Sequence, residues 1–166
     1  MSLDADEPDP PGLGALRASG IAFDVVRTAL PNSAEESAAL QGLRLEQLLR
    51  TIVVRRRADD YLLVLVPGGR QIDWPKLRAH LGVSRLSLPD QDEAREATGY
   101  ERGAITPLGS ARPWPVIADI TVGVPEVVAI GAGMRGVNAH VRPSDLIRLL
   151  EAQVADVTKP ASKGGA

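Results

Sequence analysis

Two histidines, His80 and His140, and no cysteine stand among the 166 residues. The missing cysteine excludes disulfides, thiolate metal ligands and a cysteine nucleophile together. His80 ends a helical pattern just before Gly82, a surface or helix-end position, and His140 falls in the strand-like run NAHV. Neither has a second histidine or a carboxylate pair at metal-ligand spacing, so no metal and no other cofactor is expected. Ser110, His140 and Asp119 can be assembled on paper into a Ser/His/Asp set. Any chain of this size allows that, and no G-x-S-x-G turn supports it. What remains able to do chemistry is glycine-rich backbone and arginine.

Two stretches concentrate glycine: TGYERGAITPLG at 98–109 and GAGMRG at 131–136. The second matches G-x-G-x-x-G after an apolar run, but a dinucleotide turn needs a helix next. VNAHVRP follows instead, with only 30 residues left, so the reading is a strand-to-strand turn kept small for close approach to the backbone. The first is too long for a simple turn. Apart from Lys76, Lys159 and Lys163, every basic residue is arginine. Arg50 falls between apolar LEQLL and apolar TIVV, a junction that implies partial burial or a cleft. Arg55, Arg56 and Arg57 end a strand beside a turn. They are read either as a solvated hairpin end or as phosphate contacts, which the guanidinium fork makes well.

The elements that must position these groups follow from periodicity and capping. LGALRASG (13–20) predicts a short helix ended by Gly20, and FDVVRT (23–28) a strand. Ser33 or Asn32 caps SAEESAAL, which stops at Gly42, and LRLEQLL (43–49) reads as another short helix. TIVVRRR and YLLVLVP around Asp59-Asp60 predict a β-hairpin. Asp73 caps a helix over 72–82, and Asp90 with Glu93 opens one ending near Thr98. VIADITV, EVVAIGA and NAHV read as strands, and Ser144 as the cap of a last helix, SDLIRLLEAQV. The irregular order excludes regular βαβ winding. It predicts an α/β protein of the α+β type: a mixed, curved β-sheet or partial barrel surrounded by helices.

Size and composition fit one domain over 12–157, with 1–11 and 158–166 expected to be flexible tails. No apolar run approaches a membrane span, and MSLDADEPDPPG resembles no signal or transit peptide, so the expected location is cytoplasmic, without a membrane partner. The N-terminus holds four of the 21 acids and the C-terminus two of the 19 bases, leaving a neutral interval between. That excludes a strongly basic nucleic-acid binder, and no DNA partner is expected; any nucleic-acid contact must be a local patch.

Together, LLRTIVV (48–54), LLVLVPGGRQIDWPKLRAHLG (62–82), TGYERGAITPLG and IGAGMRGVNAHVRPSDLIRLL (130–150) resemble the YbaK/prolyl-tRNA synthetase-associated editing-domain family. The resemblance runs from about Leu16 to Asp156. It implies a hydrolase that removes a small mischarged amino acid from tRNA, typically tRNA(Pro), acting in trans because no synthetase domain accompanies these residues. The partners implied are the acceptor end of an aminoacyl-tRNA and, beyond it, a synthetase. The resemblance assigns Gly103, Ala104, Thr106 and Pro107 to one pocket wall and Gly131, Ala132 and Gly133 to the other. Arg50, Gly103 and Thr106 take the catalytic positions. Ala104, Pro107, Gly131, Ala132, Gly133 and Asn138 take the substrate-binding ones. This chain departs from the family in three places. Arg50 stands for a lysine, Asn138 for an acid or other polar residue, and Gly131 for a serine. Arginine cannot act as a base. The alternatives are therefore a deacylase working by electrostatics, a non-catalytic domain that binds a small molecule or a tRNA end, or a domain that docks on a synthetase.

Overall fold

The computed structural model describes residues 9–162. Helix α1 (Pro11–Ser19) starts on a proline, whose missing N–H costs nothing at a helix start, and closes on Gly20 at φ 79°. Strand β1 (Phe23–Arg27) follows, then α2 (Ala34–Leu40), where the Ser33 hydroxyl accepts from the Glu36 N–H. Strands β2 (Leu49–Arg57) and β3 (Asp60–Pro67) form the hairpin, turning at Asp59 with φ 59°. Then come β4 (Arg70–Ile72), α3 (Trp74–Leu81) capped by Asp73, and α4 (Gln91–Thr98) capped by Asp90. Strands β5 (Val116–Asp119), β6 (Val128–Gly131) and β7 (Val137–Val141) precede α5 (Pro143–Leu150), β8 (Gln153–Ala155) and β9 (Thr158–Pro160).

One sheet has the order β1-β7-β6, all antiparallel; another has the order β2-β3-β5-β8. In the second, β2 runs antiparallel to β3, while β3–β5 and β5–β8 are parallel. A parallel bridge between Leu48 and Ala129 joins the two. The result is a mixed, curved sheet that does not close into a barrel. Strand β3 lies in its middle and is apolar on both faces. Tyr61, Leu63 and Leu65 enter the main core with Leu13, Leu16, Ile130 and Leu146. Leu62, Val64 and Val66 alternate onto the opposite face against Ile72 and Leu77. Each such buried Leu or Val stabilises the fold by about 1.5–3 kcal/mol relative to exposure.

The structure departs from the sequence expectations at element ends. LRLEQLL yields a single 3-10 turn, Leu45–Gln47, because Leu48 bridges to Ala129 and Leu49 already pairs with Pro67. The last helix stops at Leu150, where Glu151 turns at φ 51°, and Gln153–Ala155 pairs with β5. Its N-cap is Arg142, with Pro143 at the first helical position, so Ser144 lies inside it. VIADITV is strand only to Asp119, whose carboxylate then caps a 3-10 turn. Strands β4 and β9 pair with each other, so Thr158–Pro160 is built into the fold. Of the other expected tail residues, Pro11 opens α1 and the Ala161 N–H donates to the Gly69 carbonyl at 2.8 Å, while 1–8 and 163–166 lie outside the described residues. Among those described, no helix is long and apolar enough to cross a membrane.

Candidate active site

Leu48, just ahead of β2, bridges to Ala129 of β6, and the wedge that opens between β2 and β6 beyond it is a cleft of about 800 Å³. That volume suits a small-molecule site. The backbone of Arg55 pairs outward with Ser87, whereas the Leu48 carbonyl accepts from Gly68 on the β3 side. By strand alternation, the backbone groups of Thr51 and Val53 therefore point out from the free edge of β2. Among the described residues, no strand pairs with that edge between Leu48 and Arg55. The other walls are Arg102–Ile105, the turn and strand start at 134–138, and residues ahead of α4.

Arg50, Gly103, Ala104, Gly131 and Asn138 come together on this cleft. Arg50 is exposed on β2, and its Nη2 donates to the Arg70 carbonyl at 2.6 Å. Asn138 pairs with Gly131 across β7 and β6. Gly103 has φ +88°, a conformation that favours glycine, while the space beside Gly131 is open.

Thr106, Pro107, Ala132 and Gly133 do not join that wall. Thr106 is fully buried, its hydroxyl accepting from the Leu108 N–H at 3.3 Å. Pro107 faces a separate cleft beside Trp114. Ala132 is buried, with its carbonyl taking the Gly12 N–H at 2.9 Å. Gly133 has φ +100°, and a Cβ there would stand 2.6 Å from the Tyr100 ring. The loop at 98–109 is thus half wall, half packing: Tyr100 donates its hydroxyl to the Leu108 carbonyl at 2.5 Å beneath the turn.

No imidazole lines the cleft. His140 lies within hydrogen-bond distance of the Gln41 side chain, at 3.0 Å, and burial lowers its pKa against the pull of Asp24. The Asp119 carboxylate is taken up by Thr121 and by the Val157 N–H. Burial alone would raise it, but these bonds hold it below the usual carboxylate range. His140 and Asp119 are therefore both engaged away from Ser110, and the Ser/His/Asp set does not exist as a unit. Arg55 pairs with Glu93, and Arg56 and Arg57 with Asp60, which makes the arginine run an ion-paired hairpin end. Sequence reasoning missed Thr51, Arg102 and Arg135, all of which line the cleft. Arg102 and Arg135 each stand beside a glycine of the two motifs, a signal that was present.

Residues 31–149 match the model of the aminoacyl-tRNA editing domain, well over half of the chain. The chain belongs to that family. It is similar to EbsC of Enterococcus faecalis, named as a candidate Cys-tRNA(Pro)/Cys-tRNA(Cys) deacylase, at 24% identity over 126 residues. That alignment covers 76% of this chain and 77% of EbsC. A proline–tRNA ligase of Xanthomonas axonopodis pv. citri is 31% identical over 140 residues, covering 84% of this chain but 24% of the ligase. The editing-domain chain thus spans about a quarter of that relative. A solved structure described as a candidate trans-editing enzyme for prolyl tRNA synthetase superposes with a TM-score of 0.82. It is 28% identical and covers 92% of this chain and 99% of its own.

Proposed function

We propose that this editing domain is an aminoacyl-tRNA deacylase that acts in trans on a small amino acid wrongly attached to tRNA, with tRNA(Pro) the first candidate. One observation carries the reading. The cleft is lined by glycine, a free strand edge and arginine, and among the described residues its Ser37 and Thr51 hydroxyls make no hydrogen bond to its one carboxylate, Asp90, so no nucleophile–base pair is assembled there. Such a site positions and polarises an ester without attacking it. Water supplies the oxygen that bonds to the acyl carbon, the ester C–O bond breaks, and the ribose oxygen takes the proton. A hydroxyl of the terminal adenosine, or the substrate's own side chain, assists that proton transfer. Orientation of this kind is worth on the order of 7–11 kcal/mol in the best intramolecular cases. Developing charge on the carbonyl oxygen meets backbone donors. The Ala104 N–H is committed to the Glu101 carbonyl at 2.9 Å, which leaves the Gly103 N–H and the β2 edge for this task. Arg50 supplies fixed positive charge. Small size at Ala104 and Gly131 admits a small side chain. Editing is needed because a synthetase pocket rejects a missing methylene by only about 1–3 kcal/mol. The site we assign is Arg50, Gly103, Ala104, Gly131 and Asn138, and a cytoplasmic location follows from the substrate.

The test is release of amino acid from a panel of mischarged tRNAs, beginning with Ala-, Ser- and Cys-tRNA(Pro). Turnover of one or more supports the reading. Saturable binding without turnover supports a tRNA-end binding domain, the reading favoured by arginine at the family's lysine position.

A further inference from the structure

Most arginines of the described chain are matched. Arg17 lies 2.7 Å from Asp9, Arg44 2.9 Å from Glu46, Arg57 3.1 Å from Asp60, and Arg148 2.8 Å from Asp145. Arg70 is held by Thr158 and Asp119, and Arg112 lies over the Trp114 ring at 4.4 Å. Arg78, Arg85, Arg102, Arg135 and Arg142 have no such partner among the described residues, and of these five Arg102 and Arg135 alone line the cleft. Among the described residues neither has a carboxylate or hydrogen-bond partner; both are exposed, and both line the cleft. They come from different segments, the 98–109 loop and the GAGMRG turn, yet reach one wall. The Cδ and Nε of Arg135 lie 3.5 Å from the point where a Cβ on Gly103 would stand, one residue from Arg102. The carboxylate beside Arg102 in the chain and the one on the cleft are both engaged elsewhere. Glu101 faces Arg95 at 3.7 Å, and Asp90 accepts the Glu93 N–H at 2.8 Å.

Two unmatched guanidinium groups at one cleft mouth repel each other until an anion lies between them. Their planar forks suit phosphate oxygens. We propose that Arg102 and Arg135 form a clamp for the phosphodiester backbone of the single-stranded nucleic acid whose end enters the cleft. The inference rests on the deacylase reading for the identity of that strand, but not on turnover. The clamp is separate from Arg50, whose guanidinium is already fixed on the Arg70 carbonyl. It also reconciles a neutral body with a nucleic-acid ligand, because the charge is local.

The experiment is fluorescence anisotropy with a labelled CCA trinucleotide and an unacylated tRNA acceptor minihelix, over a range of salt. Arg102→Gln and Arg135→Gln should each weaken binding about fivefold or more. Each should also lower the slope of log affinity against log salt by roughly 0.7, the value for one phosphate contact on a single strand. Arg135→Lys should keep the slope while losing part of the affinity. Arg148→Gln, the same charge removed from an exposed position on α5, none of whose residues lines the cleft, should leave the slope unchanged. Thermal unfolding of each variant checks that the fold is retained. An uncleavable aminoacyl-adenosine analogue, which has no phosphodiester, should lose less than twofold in affinity for either Gln variant. Wild-type affinity and slope in the double variant, or equal losses on the analogue, would overturn the clamp. So would failure of wild type to bind the trinucleotide at low salt. Arginine-dependent binding without deacylation of any tRNA leaves the clamp standing and removes the deacylase.

Discussion

At the scale of single residues, chemistry and packing separate along the two glycine motifs. The space at Gly131 is open toward the cleft, whereas Gly133 has φ +100° and lies under Tyr100. Gly131→Val should therefore leave the unfolding midpoint nearly unchanged and reduce ligand binding or turnover severalfold. Gly133→Ala should cost roughly 1–2 kcal/mol from the left-handed backbone alone, and more from the ring contact. Thermal unfolding beside deacylation rates separates the two; equal stability losses would refute the distinction. A guanidinium carries a fixed charge and cannot serve as a base, so Arg50 is assigned electrostatics alone. Arg50→Ala should remove most activity or tRNA-end binding, and Arg50→Lys should retain a good part. No limb of the pH–rate profile should trace to this residue, as profiles of wild type and both variants can check. Full activity in Arg50→Ala would remove this side chain from chemistry and recognition alike.

At the scale of elements, what was legible had a local cause. The Ser33, Asp73 and Asp90 caps, the β2–β3 hairpin and the helix ends at Gly20 and Gly82 are written in neighbouring residues. What was not legible depends on partners far along the chain. Thr158–Pro160 carries no strand periodicity, yet it pairs with Arg70–Ile72. Arg70 gives its Nε to the Thr158 hydroxyl at 2.7 Å and approaches buried Asp119 at 3.9 Å. The site divided in the same way. Family motifs brought Arg50, Gly103 and Gly131 to the cleft, but in a motif Thr106 and Gly133 look like their neighbours; only packing shows that one is buried and the other lies against Tyr100. Because Arg50 rests on the Arg70 carbonyl, β9 indirectly holds the cleft cation. Ending the chain after Val157 should lower stability by a few kcal/mol, within the range for lost buried hydrogen bonds. At a temperature where the truncated chain is folded, it should also reduce the Arg50-dependent part of activity. Retention of both would show that β9 is dispensable.

At the scale of the whole molecule, a half-buried imidazole and a buried carboxylate tie distant segments and set the response to acid. His140 links β7 to the end of α2 through Gln41, and Asp119 links β5 to the segment before β9. Burial lowers the His140 pKa below its ordinary 6.5, so the folded state prefers neutral imidazole. The unfolded chain binds that proton first, and stability falls as pH drops below about 6.5 toward the folded pKa. For Asp119, hydrogen bonds outweigh burial and hold the pKa below 3.8. Its contribution is full above 3.8 and lost as pH falls through the depressed value. The molecule should thus lose stability on acidification in two windows. Urea midpoints measured from pH 8 to pH 3 should decline first below about 6.5, and His140→Asn should flatten that first decline. Asp119→Asn should lower stability already at neutral pH, because the Arg70 charge then loses its carboxylate partner, and should flatten the second decline. A wild-type curve level from pH 7 to pH 5, or an unchanged first decline in His140→Asn, would show that the imidazole is not held neutral between β7 and α2.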